Sequence, residues 1–129
     1  MSNGLENKRV LVTAGASGIG AAAAAHFLAS GSRVHICDVN EAAIDSFLKT
    51  NPGATASIAD VSDESAVASL FDTVKQELGG LDILINNAGI AGPTAFTEDI
   101  DYADWQKCMD VNLGGAFLCA RQAIPMLKE

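Results

Sequence analysis

Short apolar runs alternate along this chain with longer stretches in which apolar residues recur every three or four positions. The first run, Val10, Leu11 and Val12, is continuous and ends at Gly15, which predicts a strand buried on both faces. The segment AAAAAHFLAS, Ala21 to Ser30, combines helix-forming residues with small side chains, so it predicts a helix lying close against a sheet and stopped by Gly31. Val34, His35, Ile36 and Cys37 predict a second strand ending at Asp38. Asn40 can then cap a helix that places Ile44, Phe47 and Leu48 at helical spacing before NPG, Asn51 to Gly53, breaks it. TASIA, from Thr55 up to Asp60, predicts a third strand. Ser62 or Asp63 caps the clearest helix, in which Val67, Leu70, Phe71, Val74 and Leu78 form one apolar stripe ended by Gly79 and Gly80. A fourth strand follows from Leu81 to Ile85. From Glu98 the pattern is helical to the end, with Gly114 and Gly115 permitting close packing and Pro125 disturbing the last turns.

Four strands alternating with three helices through short connections predict an α/β fold, a parallel sheet wound by right-handed crossovers. No linker, charge block or repeat divides the 129 residues, and 49% hydrophobic composition is enough for one domain with a core. Charge narrows the range of partners. Sixteen acidic residues against eight basic ones give a net charge of -8, which repels nucleic-acid phosphates and anionic membranes. No apolar stretch approaches the ~18 residues of a membrane span, and the opening MSNGLENKRV lacks the apolar core of a secretory signal, so a cytoplasmic protein is expected. Cys37, Cys108 and Cys119 are widely spaced, without a CxxC pair or neighbouring histidines, and are expected to be buried reduced thiols rather than metal ligands.

The candidate chemistry begins at the turn after the first strand. Gly15, Gly18 and Gly20 give the spacing GxxGxG where strand passes into helix, so the main chain can approach a ligand and the helix start favours negative charge. A pyrophosphate suits such a turn, although tight helix–strand contacts also select glycine. Asp38 lies at the end of the second strand, eighteen positions after Gly20, where a carboxylate can accept hydrogen bonds from the hydroxyls of an adenosine ribose. The same carboxylate repels a 2′-phosphate, and DVNEAA offers no cation to welcome one, so NAD is favoured over NADP. Arg33, ahead of the strand, reads as a solvated surface residue. A Walker-type loop is disfavoured because GASGIGAA has no lysine followed by serine or threonine; a methyltransferase binding S-adenosylmethionine remains open at this point.

The fourth strand ends in ILINNAGIAG, and with NNAG in this place the chain resembles the short-chain dehydrogenase/reductase family from Val10 to about Leu127. The family's TGxxxGIG reads TAGASGIG here, with Ala14 in place of the first glycine, so the methyl group needs a tolerable backbone angle. The resemblance implies a Rossmann-type doubly wound sheet with strand order 3-2-1-4 and helices on both faces. It implies that Ser17 and Ile19, with Gly15, Gly18 and Gly20, meet the pyrophosphate or nearby ribose, Asp38 the adenosine ribose, Asp60 the adenine amino group and Val61 its ring. Asn87, Ala88 and Gly89 would line the cofactor beyond the pyrophosphate, and Asn86 would brace the sheet. Asp60 also reads as a turn acid capping at Ser62. Asn112, in DVNLGGAF, matches a helix asparagine whose main chain assists the catalytic lysine through water; its role would be auxiliary. Tyr102 and Trp105 read as packing groups, His26 and His35 as satisfied or surface residues.

The family's catalytic serine and YxxxK pair have no counterpart in these residues: Tyr102 is followed four positions later by Gln106. The chain therefore looks like the N-terminal, NAD-binding part of an oxidoreductase that moves hydride between NAD and a hydroxyl or carbonyl substrate, and is expected to be inactive alone. The alternative is a non-catalytic nucleotide-binding or subunit-interaction module. An uncovered fourth strand and the apolar Val111, Leu113, Phe117, Leu118, Ile124 and Leu127 are expected to drive self-association or pairing with a complementary fragment.

Overall fold

The computed structural model describes residues 3–129. Strands β1 (Arg9–Thr13), β2 (Arg33–Asp38), β3 (Thr55–Ile58) and β4 (Ile83–Ile85) form one parallel sheet in the order β3-β2-β1-β4. The expected order thus holds. Alternate residues of β1 enter opposite cores, because successive strand side chains point to opposite faces. Val10 and Val12 meet α1 (Gly18–Ala29) and α2 (Glu41–Thr50) through Val34, Ile36, Ile44 and Phe47. Leu11 joins the second core with Cys37, Val67, Leu70, Phe71, Val74, Cys119 and Ala123, contributed largely by α3 (Glu64–Leu78) and α5 (Gly115–Leu127). Val10, Leu11 and Val12 are fully buried, as an uninterrupted apolar run in a central parallel strand requires.

Helix ends follow the chain's punctuation. Asn40 Oδ1 accepts the Ala43 amide at 3.0 Å to start α2. Asp63, not Ser62, caps α3, accepting the Ser65 and Ala66 amides. Gly79 ends α3 in the left-handed region at φ 80°. Helix α1 differs, since its N-cap Ser17 is extended and makes no side-chain capping bond.

The last third departs from an unbroken helix beginning at Glu98. Thr97–Asp99 form one 3-10 turn, Ile100 returns to extended backbone, and α4 (Tyr102–Met109) then leads through a π-helical turn, Asp110–Gly114, into α5. In the π turn the Gly115 amide donates to Asp110 O, five residues back, so one residue is inserted relative to α-helical spacing. Of the two glycines there, Gly115 is the one that permits contact: a Cβ on it would stand 2.5 Å from Val61 Cγ2. Pro125 does not stop α5, which continues to Leu127.

Several side chains sit otherwise than expected. Tyr102 and Trp105 are exposed and stack on each other at 5.7 Å between ring centroids, rather than packing into the core. Arg33 is not simply solvated: Nη1 and Nη2 donate to Leu78 O and Glu77 O, satisfying carbonyls at the end of α3. Cys37 and Cys119 are buried, but Cys108 is only half-buried. Desolvation, with Cys119 nearby, raises the Cys37 thiol to about 12, so it stays protonated at neutral pH. His35 is fully buried, with Nδ1 2.6 Å from Thr55 Oγ1 and Nε2 2.7 Å from Ser57 Oγ, both on β3. His26 is exposed. Across the π turn and α5, Val111 and Leu118 pack against the core, whereas Leu113, Phe117, Ile124 and Leu127 remain exposed. Among the described residues no helix is long and apolar enough to cross a membrane, and no cluster of three or more potential ligands suits a metal ion.

Candidate dinucleotide site

All four strands are parallel, so their C-terminal ends, and the loops that follow, converge on one edge of the sheet. The three glycines of the first loop do different work there. A Cβ on Gly15 would stand 2.7 Å from Ile36 Cβ, so this glycine lets the loop cross close over β2. A Cβ on Gly20 would strike the Ala14 carbonyl oxygen and approach Asn87 Nδ2 to 2.6 Å, so this one lets α1 rest on the loop. Gly18 has φ +56° and open space where a side chain would be. Two glycines thus serve packing. The third leaves the main chain bare on the solvent side, which is where a ligand would approach.

The amides of Gly18, Ile19 and Gly20 open α1, have no intrahelical acceptor and find no other among the described residues. Ser17, Gly18 and Ile19 are exposed, with Ile19 at 83%. Ala14, where the left-handed region favours glycine, has φ 50°. Its methyl is accommodated but strained, which resolves what the replaced glycine raised as a question of loop geometry.

Behind the loop, Thr13 acts as a junction that the sequence pattern did not single out. Its buried hydroxyl accepts the Asn87 and Ala88 amides at 2.9 Å each and lies 3.4 Å from Ile85 O. Asn87 Nδ2 donates to Thr13 O at 3.2 Å and Ala14 O at 3.3 Å, so the segment after β4 is tied to the glycine loop. A hydroxyl-bearing residue closing an otherwise apolar strand was the available signal. Asn86 Nδ2 donates to Ala116 O, bracing the end of β4 against α5.

The loops enclose a cleft of about 320 Å³ lined in part by Ala14, Asp38, Asp60, Val61, Ala88 and Gly89. Asp38 Oδ2 accepts the Ala16 amide at 3.2 Å and Oδ1 the Asn40 amide at 3.1 Å, which fixes the carboxylate between the glycine loop and the start of α2. Each carboxylate oxygen retains accepting capacity beyond these single bonds. Asp60 Oδ1 accepts both the amide and the hydroxyl of Ser62, the turn-capping arrangement, while the residue also lines the cleft. Val39, Ile90, Lys107 and Val111 complete walls that the sequence did not assign. Lys107 and Val111 come from the segment after β4 and are remote in sequence from β2, which is why local motifs could not reveal them.

Asn112 lies in the π turn, outside the residues lining the cleft. Its Oδ1 accepts the Ile90 amide at 2.7 Å and its Nδ2 donates to Ile90 O at 2.9 Å and lies 3.3 Å from Cys108 Sγ. The side chain therefore grips both polar groups of one peptide-chain residue on the cleft wall.

A parallel sheet in the order β3-β2-β1-β4, wrapped by helices and carrying a glycine turn at the start of α1, defines an α/β protein of the Rossmann type. The sequence pattern of the family described as short chain dehydrogenase matches residues 8–129, and the chain belongs to that family. It is 39% identical over 127 residues to a short chain dehydrogenase/reductase of Colletotrichum higginsianum, covering 95% of this chain and 47% of that protein. It is 38% identical over 120 residues to a 2-dehydro-3-deoxy-L-rhamnonate dehydrogenase (NAD(+)) of a Sphingomonas species, covering 92% and 48%. A short chain dehydrogenase from Burkholderia cenocepacia, solved in complex with NADP, superposes with a TM-score of 0.88 at 34% identity, over 97% of this chain and 53% of that one. The chain spans about half the length of the curated relatives it matches.

Proposed function

We propose that this chain is the NAD-binding part of a short-chain oxidoreductase. The observation that carries the reading is the meeting, at one sheet edge, of the uncapped α1 start with a cleft walled by Ala14, Asp38, Asp60, Val61, Ala88 and Gly89. The glycine turn fits the group: Gly18 presents main chain to open space, and Gly15 and Gly20 hold that main chain in place. In this reading the Gly18, Ile19 and Gly20 amides receive the pyrophosphate, with Ser17 beside them. Asp38 receives the adenosine ribose, Asp60 and Val61 the adenine, and Asn87, Ala88 and Gly89 the part beyond the pyrophosphate. When bound, NAD supplies the hydride carrier for interconverting a hydroxyl and a carbonyl. Asn112 acts indirectly, by fixing Ile90 and presenting its own main chain.

NAD is favoured over NADP because Asp38 closes β2 and Arg33 is held at the strand's other end, about 16 Å away by strand rise. The relatives named above carry both cofactors in their names or titles, one NAD(+) and one NADP. The single tyrosine, Tyr102, bonds Gln106 Oε1 at 3.0 Å on an exposed helix face, so no tyrosine–lysine acid/base pair forms here and these 129 residues alone are expected to turn over no substrate. The three-residue edge strand β4 and exposed Leu113, Phe117, Ile124 and Leu127 support self-association or pairing with a complementary fragment. A cytoplasmic setting fits the three unpaired cysteines.

Titration calorimetry with NAD, NADP and S-adenosylmethionine side by side tests the reading. Saturable NAD binding, weakened by Asp38→Arg in a variant that still folds, is expected. Binding of S-adenosylmethionine alone, or NAD affinity indifferent to Asp38→Arg, would refute it.

A further inference from the structure

The motif after β2 holds no cation, yet the fold brings one to the same cleft. Lys107, on α4, lines the cleft that Asp38 and Val39 also line, and it is the only basic residue among the cleft's lining residues. Its ammonium forms no ion pair or hydrogen bond with the described residues, whose salt bridges are Arg9 with Asp82 and Arg121 with Glu64. The acidic side chains of the cleft are, by contrast, engaged. Asp38 is held by the Ala16 and Asn40 amides, whose N–H dipoles offset part of its charge, and Asp60 is held by Ser62.

From this juxtaposition we infer that Lys107 is a cofactor-specificity residue: it offsets the repulsion of Asp38 toward a 2′-phosphate, so that the cleft prefers NAD yet admits NADP. The inference rests on reading the cleft as the adenosine end of a dinucleotide site. It concerns a long-range charge rather than a direct bond, because an exposed ammonium on a flexible stem attracts added negative charge without a fixed partner. A neutral ribose gains little from Lys107; a phosphorylated one gains more. The chain's net charge of -8 makes that cation count, since the surrounding field otherwise opposes anionic ligands.

The test compares dissociation constants for NAD and NADP by calorimetry in the wild-type chain, Lys107→Gln and Lys107→Arg, with thermal melts confirming that each is folded. Lys107→Gln is expected to widen the NADP-to-NAD ratio of dissociation constants about fivefold while changing NAD affinity by less than about twofold. Lys107→Arg is expected to keep the wild-type ratio. Added salt should narrow the difference between wild type and Lys107→Gln. An unchanged ratio in Lys107→Gln, an equal weakening of both cofactors, or a wild-type chain that binds NAD and excludes NADP would each overturn the inference and leave the dinucleotide reading standing. A wild-type chain that binds neither overturns both.

Discussion

Gly20→Ala adds one methyl group where two structural connections cross. The new Cβ would collide with the Ala14 carbonyl oxygen and stand 2.6 Å from Asn87 Nδ2. Neither neighbour is the loose end of a flexible side chain: Ala14 O is main chain, and Asn87 Nδ2 is bonded to Thr13 O and Ala14 O. Relief requires α1 to move off the loop or Asn87 to swing away. Overpacking of this kind costs about 1–3 kcal/mol, and losing the two Asn87 bonds adds roughly 1–2 kcal/mol. The combined loss is then about 2–5 kcal/mol, a large share of the ~5–15 kcal/mol that holds a typical domain together. Urea unfolding followed by circular dichroism reads it as a lowered midpoint at unchanged slope. Gly18→Ala is the matched control, because its Cβ meets open space and only the left-handed angle of +56° opposes it, at about 1–2 kcal/mol. A Gly20→Ala variant within about 0.5 kcal/mol of wild type would refute the claim that Gly20 is required for helix packing.

Two other outcomes follow from the same geometry. Ala14→Gly is expected to stabilise the chain by about 1 kcal/mol, because relief of the left-handed angle of 50° outweighs the added freedom of the unfolded chain; an unchanged or lowered urea midpoint would contradict it. Burial lowers His35 from 6.5 to about 4, so the unfolded chain binds more protons between those values. Stability contributed by the neutral ring is therefore fully present above about pH 6.5 and declines by up to ~3 kcal/mol as pH falls toward 4. Urea midpoints across that window should fall with pH in the wild type and less steeply in His35→Gln; equal slopes would count against it.

Much of the fold was legible because its signals are local. Val10 to Val12, the stripe from Val67 to Leu78 and the cap at Asn40 are each decided within a few residues and stand where the pattern placed them, while the structure chooses Asp63 from the two caps, Ser62 or Asp63, that the pattern allowed for α3. The stretch after Glu98 reads as one helix because its composition favours helix throughout. Where it departs, contacts distant in sequence are present that composition does not encode, such as the bonds of Asn112 in the π turn to Ile90. Tyr102 and Trp105 show the same limit, since helical spacing marks which residues share a face but not whether anything covers it.

The site divides similarly. Gly15, Gly18, Gly20 and Asp38 could be recognised from spacing, while the separate duties of the glycines needed the neighbours each one touches. Thr13 left only a faint signal, a hydroxyl closing an apolar strand, because its partners Asn87 and Ala88 lie beyond β4; Lys107 was out of reach, because it enters the site through the passage of α4 beside the cleft.

The most direct test of the dinucleotide site is amide-resolved NMR of the labelled chain during titration with NAD. The Gly18, Ile19 and Gly20 resonances should shift saturably, accompanied by those of Asn87, Ala88 and Gly89. Shifts absent from the α1 start, or confined to the groove of Ser57, Ser69 and Thr73 on the far side of β3, would contradict phosphate recognition at the glycine turn.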